Sequence, residues 1–396
     1  MRVGAVQVGL FATLVAMAWV GDQVRGSVAQ TRQSISPTEP AAKVYPRKES
    51  APRKEAGIPG NEYTAGLVSG APQSTEFAIA QEIATTLATG QETGPHGEVA
   101  LRVMPMVGNG GVRNILDVLT LAGADMAIAP VVLLDHLPEA RTRGDIRSKL
   151  VYIAPLFAEE FHLLARSDIA SLTDLAGKTV NLGEEGSAGA VLGREMLNSL
   201  DVKISEVNLG LDAALDEMRK GQISATLVVS GKPVKLLTRY APADGIHFLP
   251  LATSPALQQD YLPSILGPWD YPNLIGIGER VNTIAIKSAL FAYNWPTHSE
   301  RFRLLELFVQ TLFSRFSEFL GDAHHPKWRE VNLGAPLPGW QRFRPAERWL
   351  RRQSAGEAAA RSAFDRFIEQ KPISNPAERE ELFREFLRWQ ERKQGR

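Results

Sequence analysis

Apolar positions change period repeatedly along this chain, and each change marks an element. Residues 62–68 read as a short strand, Ser69-Gly-Ala-Pro-Gln73 as a turn, and 74–89 as a helix. The cycle repeats with a strand at 99–104, a turn at 107–111 and a helix over 112–121, after which 124–129 is a fully apolar strand. A polar, exposed break at 141–149 precedes a long apolar strand at 150–166. Then come a strand at 179–182, a glycine-rich turn at 183–189, a helix to about 200, a short strand around Val207 and a helix over 213–220. The strand at 225–229 ends in Ser230-Gly-Lys-Pro233, and another is expected at 246–251. Residues 250–283 read as loop and 281–286 as a strand returning to the first part of the chain. From Ser288 helices dominate, with Phe302, Leu305, Phe308, Leu312, Phe316 and Leu320 at helical spacing. A loop at 321–339 leads to a charged helical tail whose Trp349, Phe364, Phe367, Phe383, Phe386 and Trp389 are expected to pack helices onto a lobe.

Strands alternating with helices imply right-handed parallel βαβ units, hence an α/β fold. Two such runs, linked by the apolar segment at 150–166, predict two α/β lobes joined by a hinge, with a helical C-terminal extension. The expected boundaries are 57–155 for the first part of lobe 1, 156–280 for lobe 2, 281–343 for the return to lobe 1 and its packing helices, and 344–396 for the tail. In open sheets of this kind ligands sit beyond the carboxyl ends of the strands. Here those ends are Ser69 to Ser74, Gly108 to Gly111, and Ala129-Pro130.

Residues 1–29 have the pattern of a secretory leader, an apolar run from Val3 to Val20 followed by Ser27-Val-Ala29, with cleavage expected after Ala29. That run is also long enough to stay as a membrane anchor, the only membrane contact then expected. Residues 30–56, rich in Pro and charge, read as a disordered linker. Export places the protein in the periplasm. Basic and acidic side chains balance at 44 each, and no basic face with interleaved aromatics argues for nucleic acid. Without cysteine there is no disulfide, thiolate metal site or thiol nucleophile.

The turn at 183–189 carries the clearest chemistry. Its glycines let backbone N–H groups approach a ligand, Ser187 suits an N-cap, and a helix start attracts a carboxylate. Glu184 and Glu185 would repel an anion or receive an ammonium group, or else simply compensate the helix dipole. A zwitterion such as an amino acid satisfies both features. Signals for catalysis are poor: Gly186-Ser187-Ala-Gly189 is one residue short of a nucleophile elbow, and Ser69 and Ser187 have no readable histidine partner. An exported serine hydrolase using either serine is therefore the weakest reading. Ser230-Gly231-Lys-Pro233 is not a phosphate loop, and His324-His325 lacks a zinc-like spacing, so no cofactor and no metal are expected.

The ordered set of motifs resembles the TAXI branch of TRAP-transporter solute-binding proteins, which have the bilobal type II periplasmic-binding-protein fold. Its marks are residues 64–77, 108–114, 123–128, 171–187 and Gly231-Lys-Pro233; the chain from Asn294 looks like a subgroup extension. The resemblance implies a ligand between the lobes, near Gly70, Ala71, Ser74, Thr75 and Phe77, then Asn109, Gly110 and Asn114, then Gly183, Gly186, Ser187 and Ala188. Ser69, Glu184 and Gly231 join them from the turns themselves. It further implies a glutamate-like amino acid or small organic acid as ligand, a TRAP-type permease as partner and no enzymatic activity. A membrane-tethered sensor or scaffold is the alternative. Two departures alter the pocket: Ser74-Thr-Glu76-Phe77 replaces an aromatic ring with a carboxylate, and Gly186-Ser-Ala-Gly189 replaces Gly-Ser-Gly-Thr.

Overall fold

The computed structural model describes residues 63–89, 101–137, 145–251, 261–368 and 375–394, all within one compact unit spanning 52–396. The expected leader and linker lie outside the described residues, as do the first positions of the strands expected at 62–68 and 99–104 and residues 141–144.

One mixed sheet runs through the molecule in the order β2 (Arg102–Met106), β1 (Thr64–Val68), β3 (Met126–Pro130), β10 (Val281–Tyr293), β4 (Leu150–Arg166), β7 (Ala225–Ser230), β5 (Thr179–Asn181) and β6 (Ser205–Val207). Strand β8 (Ile246–Phe248) adds to β4 and β9 (Leu262–Leu266) to β10. Strands β1, β2 and β3 are parallel, and so are β5, β6 and β7, giving one α/β lobe at each end. The two long strands join the lobes. β4 pairs with β10 up to Glu160 and with β7 from Glu160 onward, while β10 pairs with β9 over 281–285 and with β3 over 288–292. Both change partners around Glu160 and Ser288, and the register between them slips between Lys287 and Ala289. Such an irregularity weakens the ladder locally and lets the strands bend there. β4 is buried on both faces along nearly its whole length, which is why its sequence is apolar without alternation.

Helices cover both faces of each lobe. In the first, α1 (Thr75–Ala88) and α6 (Glu300–Ser314) lay Ile79, Ile83, Leu305 and Phe308 against Leu67 and Val151, while α2 (Val112–Thr120) packs Ile115 and Val118 against Ala127 and Phe291. A single turn, α3 (Ile146–Lys149), leads into β4. In the second lobe α4 (Ala188–Ser199) sets Leu192 and Met196 against Val180 and Leu227, and α5 (Leu211–Arg219) sets Leu215 and Met218 against Leu164 and Ile246.

Four expectations are corrected. The stretch expected as loop at 250–283 contains β9, and the strand expected to end at 286 continues to Tyr293, because residues 288–292 complete the pairing of β3. The apolar run from Phe302 stays in register only to Leu312. α6 ends at Ser314, and the following 3₁₀ turn, with three residues per turn, buries Phe319 and leaves Leu320 41% exposed. The expected loop at 321–339 contains the 3₁₀ turn Pro326–Glu330, whose Lys327 and Trp328 are among the most buried side chains.

The tail forms α7 (Arg344–Ile368) and α8 (Pro376–Gln394). Trp349 meets Phe313 edge-on at 5.3 Å, so the start of α7 packs on the first lobe as expected. Residues 351–359 are exposed all round, and beyond them Phe364 packs on Phe383 and Phe386 of α8 rather than on a lobe. The side chains of Phe367 and Trp389 lie outside the described residues.

Candidate functional site

The carboxyl ends of β1 and β2 face those of β5, β6 and β7 across a cavity of about 90 Å³. That is several times the space one water molecule needs. Its first-lobe wall is Gly70, Ala71, Ser74, Glu76, Asn109 and Gly110; its second-lobe wall runs from Asn181 through Gly183, Glu184 and Ser187 to Gly189, then Leu209 to Leu211 and Leu227 to Ser230. A wider groove of about 590 Å³ beside Lys232, Pro263 and Thr283 has no helix start among its lining residues.

Helix starts dominate the cavity wall. Ser74 caps α1 by accepting from Phe77 N at 3.2 Å, and Ser187 caps α4 by accepting from Ala190 N at 3.2 Å. Gly210 opens α5 at the same wall, and Gly110 adjoins the Gly111 cap of α2. Left-handed glycines make the second-lobe turn possible, with Gly183 at φ 89° and Gly186 at φ 79°.

The two walls touch. A Cβ on Gly111 would stand 2.0 Å from the Gly186 carbonyl oxygen, so the backbones meet where only hydrogens fit. Beside this contact Asn109 Nδ2 donates to Glu185 O at 3.2 Å, while Asn109 Oδ1 accepts from Gly111 N at 3.1 Å. Deeper in the cleft, Glu76 accepts from Ser230 Oγ at 2.9 Å and from Gly231 N at 3.2 Å, and Ser230 Oγ accepts from Thr75 N at 3.1 Å. Thr75 Oγ1 donates to Gly231 O. Burial raises the Glu76 carboxyl above its usual value, against the pull of these donors.

Beneath the cavity, where β4 and β10 change partners, lies a buried polar group absent from the expected site. Lys327 Nζ donates to Glu160 Oε1 and to Glu330 Oε1, both at 2.7 Å, and Lys232 N donates to Glu160 Oε2 at 3.0 Å. Neighbouring Glu159 is 1% exposed, its Oε1 has no hydrogen-bond partner, and burial followed by the charge of Glu76 holds its carboxyl well above the ordinary range. Tyr271 OH lies 2.7 Å from His162 Nε2, and burial lowers the His162 pKa to about 3, so that ring is neutral. The segment carrying Lys327 also binds both lobes through His325, whose Nε2 is 3.4 Å from Thr75 Oγ1 and from Pro233 O.

Of the expected ligand positions, Gly70, Ala71, Ser74, Asn109, Gly110, Gly183, Glu184, Ser187 and Ala188 line the cavity, whereas Ser69, Thr75, Phe77, Asn114, Gly186 and Gly231 are not among its lining residues. Asn114 is fully buried, and its Nδ2 joins Ser69 O (2.6 Å) to Ile128 O (2.9 Å), tying two strand ends together. Gly231 is packed among Thr75, Phe157 and Lys327. Ser69 is buried, with its hydroxyl on Met106 O at 3.2 Å, and no histidine lines the cavity. Ser69 thus stands outside the cavity lining, and Ser187 has no histidine among the lining residues. Asn181 and Ser230 were not foreseen; Asn181 orients the α5 turn by accepting from Leu209 N at 2.7 Å. A polar residue inside an apolar strand was the available signal for Asn181, as it was for Glu159 and Glu160.

A model of the NMT1-like family matches residues 68–334. The chain belongs to that family. The NMT1-like region thus includes α6 and the Pro326–Glu330 turn, beyond the Asn294 limit that the resemblance suggested, and leaves α7 and α8 outside. Among solved structures, an ancestral arginine-binding protein bound to arginine is similar at 16% identity, over 68% of this chain and 97% of that one, with a TM-score of 0.40. The amino acid ABC transporter substrate-binding protein AbpA from Streptococcus pneumoniae, bound to L-arginine, is similar at 16% identity over 68% and 96%, with a TM-score of 0.37. The periplasmic binding protein BugD is similar at 14% identity over 67% and 85%, with a TM-score of 0.41. Among the described residues no helix is long and apolar enough to cross a membrane.

Proposed function

We propose that this chain is an extracytoplasmic solute-binding protein that captures a small polar organic molecule between its two lobes and delivers it to a membrane permease. One observation carries the reading: a cavity walled by turns of both lobes, with the helix starts at Ser74, Ser187 and Gly210 in its lining. Backbone N–H groups at helix starts bind carboxylate or other acceptor groups without any basic side chain. Ligand contacts to both walls favour the closed arrangement, and the lobes would part by bending β4 and β10 near Glu160 and Ser288.

The finer reading takes a glutamate-like amino acid or small organic acid as ligand and a TRAP-type permease as partner, in line with the TAXI resemblance. It makes the protein a carrier rather than an enzyme and places it in the periplasm, through a leader at 1–29. A thermal-shift screen of amino acids, carboxylic acids and sugars tests the binding role, because a ligand that binds only the folded state raises the apparent melting temperature. Stabilisation by a subset of these solutes is the expected result. A flat response across the whole screen overturns the reading.

A further inference from the structure

The cavity wall contains two carboxylates, Glu76 and Glu184, and no lysine, arginine or histidine. The Glu184 side chain is exposed at the cavity and makes no ion pair among the described residues, whereas neighbouring Glu185 faces Arg194 at 3.4 Å. Arg194 is held more closely by Glu206, at 2.6 Å, and stays with that pair. The question left open by the sequence is thus divided: Glu185 belongs to a surface cluster, and Glu184 belongs to the cavity.

The helix starts at the wall are not equivalent. Glu76 already occupies the first turn of α1, and Asp212 that of α5. At α2 neither the Gly111 cap nor the first turn that follows it is among the lining residues. α4 has no acid in its first turn, so Ser187 to Gly189 is the helix start that still has positive potential to offer an anion. The cavity therefore has a place for one carboxylate, at α4, beside an unpaired carboxylate that favours a cation.

We infer that the site selects an amino acid bearing one carboxylate and a protonated amine and rejects dicarboxylates, with Glu184 as the residue that sets this choice. The inference rests on the solute-binding reading above and, of the ligand classes named there, keeps an amino acid with an uncharged side chain and drops glutamate and the dicarboxylic acids. A second ligand carboxylate meets Glu76 or Glu184 in a cavity with no basic side chain to offset the repulsion, which is how a site discriminates against a near-isostere. L-glutamine and L-glutamate differ by that one charge.

Isothermal titration of the whole chain with L-glutamine, L-glutamate and succinate tests the inference, alongside the thermal-shift screen of all amino acids. Glutamine is expected to bind at least about tenfold more tightly than glutamate, and succinate not at all, the size of effect one charge contact supplies. Glu184→Gln should weaken glutamine about tenfold and narrow its advantage over glutamate, and Glu184→Lys should turn the preference toward succinate. Glu184 is exposed, and circular dichroism checks that both variants fold. Glutamate or succinate binding the parent as tightly as glutamine, or Glu184→Gln leaving both affinities unchanged, overturns the inference while leaving solute binding intact. Silence across the titrations and the screen overturns both.

Discussion

Glu76 accepts a hydrogen bond from Ser230 Oγ at 2.9 Å, joining the first turn of α1 to the end of β7 across 154 positions of sequence. A carboxylate buried in this way depends on its donors, because an unsatisfied buried charge is costly. Ser230→Ala removes one of them and leaves the hydroxyl-shaped space empty. It is expected to destabilise the fold by about 1–3 kcal/mol, read as a lower urea midpoint at unchanged m-value. An unaltered midpoint would show that the contact contributes nothing.

Lys327 is the cation that offsets Glu160 under the cleft. Lys327→Met keeps the chain length but strands the carboxylate, an effect of about 3–5 kcal/mol for broken buried pairs. The double variant Lys327→Met/Glu160→Gln removes both charges and should recover most of that loss. If the single variant were no less stable than the parent, Lys327 would have no such role.

Stability should depend on pH through two opposed groups. Burial raises the Glu159 carboxyl well above 4.5, so the folded chain holds a proton that the unfolded chain releases above that pH; its contribution is full below pH 4.5 and lost as pH rises through the folded value. His162 acts in the other direction. Its pKa falls from 6.5 to about 3, so the unfolded chain takes up a proton first and stability drops as pH falls below 6.5. Glu159→Gln isolates the carboxyl: its urea midpoint should exceed the parent's at about pH 7.5 and meet it near pH 4. A constant gap between the two proteins at both values would contradict the assignment.

Closure can be separated from folding at Gly111. Its φ of −130° suits any residue, so alanine there adds no backbone strain, yet its Cβ would collide with the Gly186 carbonyl oxygen at 2.0 Å. Gly111→Ala is expected to leave the melting temperature nearly unchanged, to increase the radius of gyration in small-angle scattering and to weaken binding of any solute that stabilises the parent. An unchanged scattering profile and unchanged affinity would mean that the walls need not meet there.

Local pattern made much of this legible. Ser187 caps its helix as its place after the glycine turn suggested, and β4 has the bounds that its apolar run predicted, because capping and burial are written in neighbouring residues. Nine of the expected site positions line the cavity for a related reason, since turns after parallel strands converge at one edge. What stayed hidden depends on distant contact. Lys327 looked like a loop residue until Glu160 stood 2.7 Å away, and Glu76 read as a substitution in a turn rather than as a bond across the cleft. The final strand was cut short at 286 because its remaining residues take their β conformation from pairing with β3.

The central claim, a solute held between the lobes, is tested most directly by a crystal structure of the protein grown with the solute that stabilises it most in the thermal screen. Electron density for that solute is predicted in the cavity between Gly70 and Ser187, with its acceptor end at the start of α4 and contacts to both walls. Density bound elsewhere on the surface, with the cavity holding only water, would contradict the account.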